Sequence, residues 1–185
     1  MELWLDCKKQ NNNSVTVKVF SEMLFDLYEG TVNRLFPIRV TSSEGAYYEY
    51  SPSKTLETLE WKKVNENLSK AEKWAIQNLV IVSFIKRGEV WSIDSDRLVS
   101  KRIFMETVML PVIQYINPAP AVNYIDYQKN NIIIALKLGI LNGISEKNIN
   151  KWYDEDYSSI TIGDAFQIIE NVKKVLREHQ NKNNK

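Results

Sequence analysis

Three ten-residue stretches share one order of hydrophobic and polar positions: VTVKVFSEML from Val15, VSKRIFMETV from Val99 and ITIGDAFQII from Ile160. Val15, Val99 and Ile160 correspond, and each is followed by a hydroxyl residue, Thr16, Ser100 or Thr161. Lys18 then matches Arg102, Phe20 matches Phe104 and Glu22 matches Glu106, while Ala165 replaces the aromatic residue in the third copy. A hydroxyl at the entry of a helix accepts a bond from a free first-turn amide, and an acidic residue three positions on, such as Asp164 after Thr161, can reach back. Beyond each cap the apolar residues recur at helical spacing, as in Ala165, Ile168, Ile169, Val172, Val175 and Leu176. Each copy is preceded by a polar stretch, KKQNNNS, WSIDSDRL or KWYDEDYSS. The repeating unit is therefore a polar loop, a cap and an amphipathic helix.

A second helix is expected ahead of the loop in two units, over about residues 70–86 and 127–138. The latter is stopped by Gly139, placed to adopt the left-handed conformation that ends helices. The first unit keeps mainly its capped helix. Ile38 and Val40 alternate toward SSEG, and Tyr48 and Tyr50 alternate away from it, which predicts a β-hairpin near residues 35–50. Pro118 and Pro120 mark the break between the second and third units, and Pro111 predicts a kink within a helix that continues to Tyr115. The expected organisation is a partial first unit over 1–30, a hairpin or linker over 31–56, a second unit over 57–118, a third over 119–178 and a frayed tail over 179–185. The fold class is mainly α.

Composition narrows the chemistry. Of 185 residues, 44% are hydrophobic and 25% charged, as in ordinary globular chains, and the net charge of +1 supplies no field for nucleic acid. No apolar run is long enough to span a bilayer. Residues 1–13 lack the basic start and apolar core of a signal peptide, so the protein is expected at the cell surface if a leader has been removed and in the cytoplasm otherwise. Cys7 reads as an ordinary thiol and His179 lies in the tail, so neither offers a catalytic pair. Phosphate-loop, zinc-protease and serine-hydrolase motifs do not occur. The acidic loops at Asp94 and Asp96, and at Asp154, Glu155 and Asp156, read as helix-cap loops rather than calcium sites, because Ser159 stands where a calcium loop needs its turn glycine. No cofactor, metal or catalytic set is expected.

These residues resemble the S-layer homology family, whose helix–loop–helix modules occur typically in threes. GILNG over 139–143, with Gly139 and Gly143, is similar to the phrase after the family's first helix. ITIGD over 160–164 is similar to the Thr-Arg-Ala-Glu phrase that opens its second, VSKRI and VTVKV are looser versions, and Tyr124-Ile125-Asp126 resembles its entry. The resemblance implies three units around a shared pseudo-threefold core, with Phe20, Phe104 and Ala165 or Phe166 near its centre. It also implies non-catalytic attachment to a cell-wall polysaccharide or tethering of a surface protein. The family's arginine follows the Thr, where a planar guanidinium suits a carboxylate ketal. Here those positions hold Val17, Lys101 and Ile162. The candidate ligand-binding residues are therefore Lys101 and its neighbour Arg102, with Trp91 or Trp152 as a stacking platform. Against this stands a plainer reading: a solvated Lys101 and two tryptophans anchoring loops. The alternative function is an intracellular protein-interaction factor, such as a phage- or host-encoded regulator, that reuses the scaffold. Thr16, Ser100, Thr161, Asp164, Gly139 and Gly143 are assigned structural roles.

Overall fold

The computed structural model describes residues 12–28, 38–41, 47–50, 63–77, 80–81, 84–116, 124–154 and 158–183. These are mostly helical, with two small sheets. The chain divides into two compact units, Thr16–Arg97 and a second one made of Met1–Val15 with Leu98–Lys185.

In the Thr16–Arg97 unit, helix α1 (Val17–Leu27) starts where Thr16 Oγ1 accepts from the Val19 N–H at 3.4 Å. It buries Val17, Phe20, Met23 and Leu24, spaced to lie along one face. Strands β1 (Ile38–Thr41) and β2 (Tyr47–Tyr50) pair antiparallel where the alternation predicts a hairpin, with Ile38 opposite Tyr50 and Val40 opposite Tyr48. After strand β3 (Lys63–Val64), helix α2 (Lys70–Gln77) packs on α1. Trp74 of α2 meets Phe25 edge-on at 5.5 Å, and Tyr28 lies 5.9 Å away. The helix expected to reach residue 86 is thus much shorter. The Val80 N–H closes it onto the Ala75 carbonyl at 3.0 Å, and Ile85 and Lys86 form strand β4 instead. The run from Val80 to Ile85 is rich in β-branched residues and apolar but for Ser83, so its helical period is weak and sheet pairing overrides it. Strand β5 (Val90–Ile93) occupies the centre of the second sheet, parallel to β3 and antiparallel to β4.

In the other unit, helix α3 (Lys101–Phe104) runs through a π-helical turn (Met105–Met109) into α4 (Leu110–Ile116). Proline at 111 has no N–H to donate, and its ring crowds the carbonyl four residues back. The chain accommodates it in the wide turn just upstream, where the Leu110 N–H bonds the Met105 carbonyl, so the expected irregularity is a π turn. α4 ends at Ile116 and α5 (Tyr124–Lys137) begins at Tyr124; Pro118 and Pro120 lie outside the described residues. Gly139 and Gly143 adopt φ of 79° and 82°, as the expected stop signals require. Helix α6 (Glu146–Asp154) is capped by Ser145, whose Oγ accepts from the Asn148 N–H at 3.2 Å.

Helix α7 (Ile162–Asn183), like α5, packs against α4, and it buries Ile168, Ile169 and Val172. It continues through most of the tail expected to fray: His179 lies edge-on to Tyr115 at 5.3 Å, which ties the last turns to α4. Asn171 of α7 donates to the carbonyls of Ile140 and Asn142, at 3.0 and 2.8 Å, and so clamps the glycine-bounded turn.

Candidate functional site

The three repeated starts fold alike. Thr16, Ser100 and Thr161 each accept a bond from the amide three residues on, at Val19, Ile103 and Asp164. The reciprocal arm predicted for Asp164 is used differently, because its carboxylate accepts from Asn148 Nδ2 at 2.8 Å and joins α6 to α7.

The residues just before the caps bond one another in a closed cycle. The Val15 N–H donates to the Ile160 carbonyl at 2.9 Å, the Ile160 N–H to the Val99 carbonyl at 3.1 Å, and the Val99 N–H to the Val15 carbonyl at 2.9 Å. All three are fully buried. The positions two residues on repeat the pattern: Lys101 N–H donates to Ser158 O and Ile162 N–H to Asn13 O, each at 2.8 Å. In the Thr16–Arg97 unit the Val17 N–H likewise donates to Arg97 O at 2.9 Å. Buried backbone groups need partners, and here each short segment satisfies the next.

The residues proposed to contact a ligand fare differently from one another. Lys101 is only 7% exposed, so it is not the solvated first-turn residue of the plainer reading. Val17 and Ile162, at the matching positions, are 0% and 4% exposed. All three positions therefore face the interior. Beside Lys101, the Ser158 hydroxyl is buried without a hydrogen-bond partner. Arg102 is half-buried and its Nε donates to Glu106 Oε1 at 2.9 Å, a pairing along one helix face. Trp91 lies on β5, not in a loop, and is 9% exposed, with the Arg87 guanidinium 5.6 Å above its ring. A sugar could not stack on that face without displacing Arg87. Trp152 belongs to α6, and its side chain lies outside the described residues, as does Cys7. The cycle thus lies one residue ahead of the Ser100 and Thr161 caps, while Lys101 and Trp91 are each buried within their own unit. Phe20, Phe104 and Ala165 are all fully buried, whereas Phe166 is half-buried.

Two features escaped the sequence reading. The first is a complete capping box at Ser69 and Glu72: the Ser69 N–H donates to Glu72 Oε2 at 2.8 Å, and the Glu72 N–H to Ser69 Oγ at 3.2 Å. The Ser95 hydroxyl donates to the other carboxylate oxygen, while the Ser95 carbonyl accepts from the Lys18 N–H at 3.0 Å. Burial pushes the Glu72 carboxyl upward, but the bonds from Ser95 and Ser69 and the nearby Lys18 charge outweigh it and hold the group below the usual carboxylate range. Glu22, facing Lys18 and Glu72, is shifted upward, chiefly by burial. Ser-x-x-Glu ahead of a helix was the legible signal for this box. The second is a pair of arginines on aromatic rings, Arg87 on Trp91 and Arg97 on Phe84, which only the pairing of β4 with β5 brings about.

Among the described residues no cluster of three or more His, Cys, Asp or Glu side chains could hold a metal ion, and Asp94 pairs with Lys86 at 3.6 Å. No helix of the described residues is long and apolar enough to cross a membrane. Comparison with known proteins finds no matching family model, no matching curated protein and no matching solved structure.

Proposed function

We propose that this chain is a non-catalytic binding module of the S-layer homology type, built from three short units around a shared centre, which attaches to a cell-wall polysaccharide or tethers a surface protein. The observation that carries the reading is the cycle of backbone bonds among Val15, Val99 and Ile160, each one residue ahead of a hydroxyl-capped helix. Three segments with equivalent local sequence making equivalent bonds is what an internal repeat packed on itself requires. Sedimentation with purified Gram-positive sacculi tests the attachment: the protein is expected in the pellet, and retention in the supernatant removes the polymer claim. Lys101→Met keeps the aliphatic bulk and deletes the charge. If it pellets unchanged with an unchanged melting curve, Lys101 has no part in the contact.

A second reading is favoured by the burial of Val17, Lys101 and Ile162 and by the covered face of Trp91. With those positions turned inward, the scaffold serves as a protein-interaction factor whose partner contacts other surfaces. Co-purification of a stoichiometric protein partner from cells expressing the tagged full chain, together with no sacculus binding, selects this reading over the first.

A further inference from the structure

We propose that Asn142 is a site of spontaneous covalent modification, in which the Gly143 backbone nitrogen displaces the Asn142 side-chain ammonia, and that the reaction releases the turn between α5 and α6 from α7. The inference goes beyond both functional readings and rests on neither. Asn142–Gly143 is the one Asn-Gly pair in the chain. Glycine has no Cβ to hinder approach to its nitrogen, and it turns through conformations closed to other residues. Here Gly143 sits at φ of 82°, and both residues are exposed. Among the described residues the Gly143 N–H donates to no acceptor, and the Asn142 side-chain amide makes no hydrogen bond. That amide lies back over Gly139, where its nitrogen would come within 2.9 Å of an added Cβ. Neither the attacking nitrogen nor the leaving group is tied up elsewhere.

At other asparagines the equivalent amide is engaged. The Leu68 N–H after Asn67 donates to the Asn65 carbonyl at 3.3 Å, and the Ile149 N–H after Asn148 donates to the Ser145 carbonyl at 3.0 Å. Asn13 also precedes a small residue, but Ser14 is bridged antiparallel to Thr161, and the Asn13 carbonyl accepts from the Ile162 N–H at 2.8 Å. Asn171 precedes a β-branched residue, Val172, inside α7. A backbone nitrogen held by a hydrogen bond, a bridge or a helix cannot swing onto the side-chain carbon of the residue before it without breaking those bonds.

The step balances with water as its only co-reactant. The Gly143 nitrogen forms a bond to Asn142 Cγ, the Cγ–Nδ2 bond breaks, and the proton from the Gly143 nitrogen leaves with the amide group as ammonia. The product is a five-membered succinimide. Water then opens the ring at Cγ, which yields aspartate, or at the main-chain carbonyl, which yields isoaspartate with the chain running through Cβ and Cγ. Isoaspartate strikes the fold at its clamp. Asn171 Nδ2 donates to the Asn142 carbonyl at 2.8 Å and to the Ile140 carbonyl at 3.0 Å. In isoaspartate the Asn142 carbonyl becomes part of a free carboxylate and the backbone gains a methylene, so Gly143 is displaced from its place beside Gln167. Either product also carries a negative charge at neutral pH that the asparagine did not.

The test incubates the intact chain at mildly alkaline pH in isotopically heavy water oxygen, once native and once unfolded in urea, and locates the incorporated label by peptide mass mapping. In the native arm Asn142 is expected to convert at a rate comparable with that of the unfolded chain, with isoaspartate the larger product, while Asn13, Asn67 and Asn148 keep their amides. The aged native protein is expected to exchange its amides faster over residues 139–144 than fresh protein does. Asn142→Gln, whose longer side chain cannot close the five-membered ring, is expected to take up no label there and to keep the exchange pattern of fresh protein. Conversion of Asn142 in urea only, native conversion spread evenly over the four asparagines, or unchanged exchange over 139–144 after conversion would each overturn the inference. The wild-type arms decide the matter even if the glutamine variant folds poorly.

Discussion

At position 72 a carboxylate sits in the interior because donors and a positive charge outweigh both its burial and the like charge of Glu22. Ser69 supplies its backbone N–H, Ser95 its hydroxyl, and Lys18 lies near on α1. Replacing Glu72 with Ala strands the Ser69 amide and the Ser95 hydroxyl and removes the α2 cap, and is expected to cost about 1–3 kcal/mol in urea denaturation at neutral pH. The folded value of Glu72 lies below the ordinary 4.5, so its contribution is present above 4.5 and is lost as pH falls through the folded value. The gap between wild type and Glu72→Gln should therefore narrow in acid. Glu22 is shifted the other way, so its ionised form costs stability at neutral pH. Glu22→Gln is expected to raise the melting temperature at pH 7, with the gain fading as pH drops below 4.5, where the wild-type group is protonated in both states. A variant that melts lower at pH 7 contradicts this assignment. The caps at Thr16, Ser100 and Thr161 were legible because each is a three-residue pattern satisfied within its own turn. The burial of Lys101 was not, because it depends on Ser158, far along the chain, lying against the start of α3.

Elements follow the sequence where one signal dominates and depart from it where two compete. Gly139 ends α5 because φ of 79° is open to glycine, and a Cβ there would come within 2.9 Å of the Asn142 amide nitrogen. Gly139→Ala is expected to destabilise by about 1–2 kcal/mol in chemical denaturation. The paired strands β1 and β2 were readable from alternation, since a period of two fixes which residues share a face. The helix over 70–86 failed because periodicity counts apolar residues without distinguishing β-branched ones, and Ile85 had a strand to join. Two-residue strands such as β3 and β4 carry no period at all, so nothing local announced the second sheet. The π turn before Pro111 makes a further prediction. Restoring an N–H with Pro111→Ala should let the turn tighten toward α-helix, read as slower amide exchange over Met105–Leu110. Unchanged exchange there would disconnect the wide turn from the proline.

On the scale of the molecule, the segment Asn13–Val15 is held by partners far away in sequence, at Val99 and at Ile160 and Ile162. Bonds that close such long loops form and break only with the body that positions them. The amides of Val15, Val99 and Ile160 are accordingly expected to exchange with one common protection, equal to that of the most protected amides of α7. A Val15 amide that exchanges far faster than the other two would show the first segment to be a loose appendage. The sequence by itself determined the three capped starts, the glycine stops, the two alternating strands and the absence of recognisable catalytic motifs, because each is a statement about neighbours within a few residues. Tertiary structure alone decided that Val17, Lys101 and Ile162 face inward, that Trp91 is roofed by Arg87, and that Ser95 locks Glu72. Burial and long-range pairing are properties of which segments meet, and a one-dimensional pattern constrains a residue's face without saying what will cover it.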